Sequence, residues 1–251
     1  DNTKEIVKKF QGLNILYRRQ KNSGPNFSRN RAEEIIPKTC KYVIPIDSDD
    51  TFYNHKTLEM MVKDITKSKK NIGIIAYSSI DGITGKRVSF TQKPEIIIDF
   101  IESIKGEKIK GEFLFIQKRE VLKISKWPEK ILGYEGIRHW EINKFSDFLY
   151  KEAICRIYFR DRKENLTSPE GTILRAGNMV DGINYLLQKH GDNLKLYNRD
   201  RYIYFNFTKG VYLLLCNKKI EFLRHSIFFL KLKKNFKMNI IFLFLFLCII
   251  L

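Results

Sequence analysis

Three carboxylates fall within four residues at Asp47-Ser48-Asp49-Asp50, directly after the apolar run at 41–46 (KYVIPI). Adjacent carboxylates repel, and a fold keeps them together most readily where a cation offsets the repulsion. Hard oxygen ligands select Mg²⁺ or Mn²⁺, and a protein commonly lends Mg²⁺ one or two carboxylates while substrate phosphates supply the rest. The plain alternative is a solvated strand-to-helix turn in which Asp50 or Thr51 caps a helix. Upstream, Arg18, Arg19, Lys21 and Arg29 would supply cations for a diphosphate.

The elements that must position these groups alternate in type. A helix is expected at 3–10, a short strand at 13–17 (LNILY) and a polar loop at 18–27 containing Gly24 and Pro25. Ser28 can cap a helix running to Ile36 and ended by Pro37, and 41–46 reads as a buried strand. At 56–68, Leu58, Met61, Val62 and Ile65 share one helical face, and 72–77 (IGIIAY) is a further strand. This β-α-β-α-β order predicts an α/β fold with an open, mostly parallel sheet and helices on both faces. The carboxyl end of strand 41–46 is where such sheets place their ligands.

Farther on, a turn-rich excursion is expected at 78–89, a helix from Pro94 to Ile104, strands at 112–117 and 148–159, and a helix at 171–190 ended by Gly191. No internal repeat or low-complexity linker interrupts the chain, so 1–210 reads as one domain and 211–251 as a distinct tail.

The chain has 251 residues and a formal net charge of +18, with 43% hydrophobic and 13% aromatic residues. That composition excludes a disordered polyelectrolyte and allows a real core. The four cysteines, Cys40, Cys155, Cys216 and Cys248, form no CxxC pair, and the four histidines show no ligand spacing. Neither a structural metal nor a disulfide framework is suggested.

The motifs together resemble glycosyltransferase family 2, inverting enzymes of GT-A fold that use nucleotide-diphosphate sugars. Asp1-Asn2-Thr3 before a helix is similar to the end of that family's Asp-rich DGSxDNT segment. Asn22-Ser23-Gly24 with Ser28-Arg29-Asn30 resembles its NxG…ARN stretch, and KYVIPIDSDD matches its strand and DxD motif. The resemblance implies that Asp1, Asn22, Gly24, Arg29 and Asp47 contact the nucleotide sugar. It also implies that Asp49, with Asp47, binds Mg²⁺ or Mn²⁺ bridging the diphosphate. The family's acceptor-side base corresponds to Glu135, in Glu135-Gly136, where Gly136 replaces an acid; Tyr158-Phe159-Arg160 fits its downstream strand. Glu141 is the second candidate base, and a solvated helix carboxylate explains it equally. Gly111-Glu112 resembles an acceptor-side motif and also fits a simple turn. His139 and Trp140 are candidates for the acceptor cleft, with a packed helix Trp the commoner case. The family's first strand and the strand into its first Asp-rich turn have no counterpart here. The domain is therefore read as lacking its first strands, and weak nucleotide-sugar binding is expected of the chain by itself.

Residues 217–251 hold seven basic residues against Glu221 alone and end in the apolar run 240–251 (IIFLFLFLCIIL). As a helix that run spans roughly 18 Å, short of the bilayer core of about 30 Å. Interleaved cations and apolar residues fit an anionic membrane surface, and the charge implies the cytoplasmic face. The expected partners are then a nucleotide-diphosphate sugar, a saccharide or lipid-linked saccharide acceptor in cell-surface polysaccharide or lipopolysaccharide synthesis, and that membrane, without nucleic acid. Two alternatives stand beside this reading. One is an inactive fragment of such an enzyme; the other is a basic nucleic-acid binder using Arg199 to Phe207 (RDRYIYFNF) to stack bases, for which three clustered carboxylates have little use.

Overall fold

The run at 72–77 carries no polar face, so it must be covered on both sides, and it becomes the middle strand of a six-stranded sheet. The computed structural model describes residues 2–10, 12–131, 134, 136–159 and 169–232. In it β3 (Ile72–Asp81) pairs antiparallel with β7 (Phe113–Lys118) and parallel with β8 (Asp147–Tyr158). The short β1 (Tyr42–Val43) lies outside β7. β2 (Thr51–Phe52) and β5 (Glu95–Ile98) both pair antiparallel with β8. The order is β1-β7-β3-β8-β2, and β4 (Ser89–Thr91) with β6 (Ile109–Gly111) forms a separate two-stranded sheet.

This sheet is mixed, not mostly parallel as expected, because β3/β8 is the one parallel pairing among the described strands. The excursion after β3 brings the chain back to the end it left, with Ser78 opposite Phe113, so β7 must run backwards. Along β8 the pairing is irregular. Tyr77 faces Lys151 and Ser79 faces Arg156, so two steps on β3 match five on β8, a bulge of the kind that bends a strand and re-aims its side chains.

Helices do cover both faces. On one, Met61 and Ile65 of α3 (Thr57–Lys67) pack against Ile72, Ile75, Tyr77 and Leu114. On the other, Ile142 of α5 (Gly136–Asn143) packs against Ile74, Ala76, Ile98 and Phe148. A helical layer built from α4 (Phe100–Lys105), α7 (Ala176–Tyr197), α8 (Arg199–Leu215) and α9 (Lys219–Lys231) extends from the α5 side, through Ile104, Trp140, Ile183, Leu194 and Phe205. No described helix is long and apolar enough to cross a membrane, and the run at 240–251 lies outside the described residues.

Several elements differ from expectation for identifiable reasons. Residues 13–17 pair with no described strand, and Leu13, Ile15 and Leu16 are exposed; an apolar pattern makes a strand only where a partner ladder exists. The N-terminal helix is α1 (Thr3–Lys8). α2 (Pro25–Ile35) starts at Pro25 with Gly24 as N-cap at φ 88°, so Ser28 sits in its first turn and donates to the Gly24 carbonyl. The expected helix at 94–104 divides into β5 and α4. Its β-branched residues Ile96–Ile98 extend along β8, and Asp99 caps the helix by accepting from the Glu102 N–H. On α3, Leu58 and Val62 are exposed while Met61 and Ile65 are buried. The helix expected at 171–190 becomes α6 (Pro169–Leu174) and α7, and Gly191 does not end it, since the apolar spacing continues through the buried Leu194.

Candidate functional site

The acidic cluster forms the turn between β1 and β2, closed by a bond from the Asp50 N–H to the Asp47 carbonyl. Its three carboxylates are held differently. Asp50 points inward, its side chain wholly buried, and its Oδ2 lies 3.0 Å from Arg156 Nη1 on β8. Arg156 also donates from Nε to Ser79 Oγ at 3.0 Å and stacks 4.7 Å from the Tyr158 ring centroid. Burial pushes the Asp50 carboxyl above its usual range, against the pull of Arg156 and with added repulsion from Asp47 and Asp49. Asp47 is half exposed and meets Arg29 Nη2 at 2.9 Å. Asp49 is exposed and makes no ion pair or hydrogen bond among the described residues. The turn is thus clamped from within by Arg156 and from α2 by Arg29, and it presents Asp49 outward.

Arg29 is itself held in place. Its Nη1 donates to Asn26 Oδ1 at 3.3 Å, and its guanidinium lies 4.9 Å from the Trp127 ring centroid. Arg138, whose side chain has no exposure, packs against the same indole at 4.4 Å. It pairs with Glu33 Oε1 at 3.0 Å, and the indole Nε1 donates to that same oxygen at 2.8 Å. Two buried asparagines of α2 complete the junction. Asn26 donates to the carbonyls of Pro128 and Ile131, and Asn30 exchanges bonds with both backbone groups of Trp127. A helix lined with two buried amides is costly unless each is satisfied, and here the segment 127–131 satisfies them.

The predicted site residues are therefore partly assembled. Arg29, Asp47 and Asp49 come together. Asn22 accepts from the Gly24 N–H at 3.2 Å, an Asx turn that leads into α2, and Gly24 supplies the positive φ there. Asp1, Glu135 and Arg160 lie outside the described residues. Glu141 is placed on α5, 2.8 Å from Lys144 Nζ and 2.9 Å from Nε2 of the buried His190, and contacts none of Arg29, Asp47 or Asp49. Trp140 is packed in the helical core, and His139 lies among Phe115, Trp127 and Phe148. Gly111 has φ 94°, and a Cβ there would meet the Val88 carbonyl oxygen, which gives that glycine a backbone reason. Residues 199–207 form the first half of α8, with Tyr202 and Phe205 in the core, so those two rings are not available to stack bases.

Arg156, Trp127, Arg138 and Asn26 had no motif to announce them, and Asn30 entered only as the last residue of Ser28-Arg29-Asn30. The i, i+4 spacing of Asn26 and Asn30 was the readable sign, since it places both amides on one helical face.

Asp47 and Asp49 could hold a divalent cation. Among the described residues no group of three or more acidic, histidine or cysteine side chains forms a cage. Two exposed carboxylates are the share a protein contributes when phosphate oxygens and water complete an octahedral Mg²⁺ shell, so the donor set fits a cation that arrives with a diphosphate. A cavity of about 290 Å³ between the start of α3 and β8, lined by Tyr53, Thr57, Met60, Arg87 and Ile154, contains none of these residues.

Residues 1–123 match the sequence profile described as glycosyl transferase family 2. No curated protein matches the chain. The family match supports a glycosyltransferase in general, with a nucleotide-sugar donor and a saccharide acceptor as its broad partners. The matched segment, just under half of the chain, contains α2, the Arg29–Asp47 pair and the whole acidic turn, and over these residues the chain is similar to glycosyl transferase family 2.

Proposed function

We propose that the protein is an inverting glycosyltransferase that moves a sugar from a nucleotide-diphosphate sugar to a hydroxyl of a saccharide or lipid-linked saccharide, in cell-surface polysaccharide or lipopolysaccharide synthesis at the cytoplasmic face of a membrane. The observation that carries the reading is the unequal fixing of the acidic turn: Asp50 buried on Arg156, Asp47 tied to Arg29, Asp49 left outward. A turn made only to cap a helix needs no buried arginine behind it.

In this reading Asp47 and Asp49 hold Mg²⁺ or Mn²⁺, which supplies charge neutralisation for the departing nucleoside diphosphate. Arg29 sits beside the same carboxylates and offers a planar, permanently charged donor pair to a phosphate. An acceptor hydroxyl is deprotonated by a carboxylate, for which Glu135 remains the assignment, and a single displacement inverts the anomeric centre. Glu141 is the second choice; its engagement with Lys144 and His190 favours a positioning role on α5.

Titration calorimetry with a set of nucleoside diphosphates, with and without Mn²⁺, tests the proposal. One nucleotide should bind only with the metal, and Asp49→Ala should weaken it about ten-fold or more while leaving the thermal midpoint unchanged, as expected of an exposed side chain. Metal-independent binding that survives Asp49→Ala would sink the assignment.

A further inference from the structure

We infer that the outward face of α9 lies flat on an anionic lipid bilayer. The helix spends its large aromatic residues on both sides of itself. Phe222 and Phe229, with His225 and Ser226, are buried against α7 and α8. At 100° per residue the opposite stripe is Ile227, Ile220, Lys231, Arg224 and Phe228, in that order around the wheel. All five are exposed, with Ile220 at 67%, Ile227 at 54% and Phe228 at 44%. Exposed apolar side chains are ordinary when scattered singly. Three on one helical stripe, with two cations set between Ile220 and Phe228, are the arrangement of an interfacial helix, in which apolar side chains enter the acyl boundary and long basic ones reach the headgroups.

Charge selects the occupant. Around this stripe stand Lys218, Lys219, Arg224 and Lys231, with Glu221 as the one acid, and Lys218 lies 3.7 Å from it. Arg224 and Lys231 make no ion pair among the described residues. A second copy of the chain would bring the same cations face to face, because a two-fold contact presents the same patch twice, whereas an anionic leaflet gains from each of them. The sequence continues with Lys233, Lys234 and Lys237 around Phe236, the same composition. This inference is independent of the donor, the acceptor and the metal.

The test uses the full chain with Phe228→Trp and vesicles carrying brominated acyl chains. The emission that Trp127 and Trp140 contribute is taken from the unsubstituted protein. Phe228→Trp should be quenched about two-fold in vesicles containing phosphatidylglycerol and not in pure phosphatidylcholine, while Phe90→Trp, on β4, stays unquenched in both. Arg224→Gln with Lys231→Gln should lower partitioning into the anionic vesicles on the order of 30-fold. Absence of quenching at position 228 in protein that nevertheless floats with anionic vesicles would mean that another copy or residues 233–251 cover the face, and the inference fails. Equal quenching in neutral vesicles overturns it as well.

Discussion

Arg156 and Asp50 form a buried ion pair, Nη1 to Oδ2 at 3.0 Å, between the bulged half of β8 and the acidic turn. Their side chains are 8% and 0% exposed, so neither charge has solvent to fall back on. Arg156→Met strands a carboxylate in the interior and should cost about 3–5 kcal/mol, read as a lower urea midpoint. Adding Asp50→Asn should return much of that loss. A single variant as stable as the parent would show that the pair does not hold the turn.

Arg29 stacks on Trp127 and reaches Asp47 with the same guanidinium. A lysine keeps the charge and loses the flat surface and the forked donors. Arg29→Lys should therefore weaken Mn²⁺-supported nucleoside diphosphate binding about ten-fold, with little change in thermal midpoint. Calorimetry beside a melting curve separates the two effects.

Acid should unfold the protein partly through its interior histidines. Burial pushes His190 down to about 4, although Glu141 pulls it up, and pushes His139 down to about 3, aided by Arg138 and Arg29. Both are neutral when folded and more basic when unfolded, so their contribution is complete above about 6.5. It is lost as pH falls from there through 4 and then 3. Stability measured by denaturant titration from pH 7 to pH 4 should fall more gently in His190→Gln than in the parent.

Gly111 closes β6 at φ 94°, with the Val88 carbonyl where a side chain would stand. Gly111→Ala should cost about 1–3 kcal/mol in backbone strain, more if β4 cannot shift away, and the loss should appear as a lower unfolding midpoint.

Much of this was legible in the chain. The acidic turn after a short strand, the apolar centre at β3 and the strands β7 and β8 follow from pattern alone. The antiparallel course of β7 does not, because strand direction depends on where the excursion after Asp81 returns. Residues 13–17 show the limit of an apolar pattern, since a strand is a relation between two segments. The helix read from Pro94 failed because proline suits the start of a helix and also precedes a strand, and only Asp99 marks the true cap. Within the site, the DxD carboxylates and Arg29 announce themselves by spacing. Arg156 shares its strand with a second cation, Lys151, and lies 106 residues from its partner, and nothing local gives it away.

The bulge in β8 adds an odd number of residues, since two steps along β3 are matched by five. In a structure whose side chains alternate every second residue, an odd surplus reverses the phase of everything beyond it. The arginine behind the acidic turn is thus specified by how many residues precede it in the strand as much as by what it is. Single-residue deletions at 152–154 should consequently be more damaging than any substitution there, and tolerance to length, measured across such a deletion series, would map the part of the site that no side chain encodes.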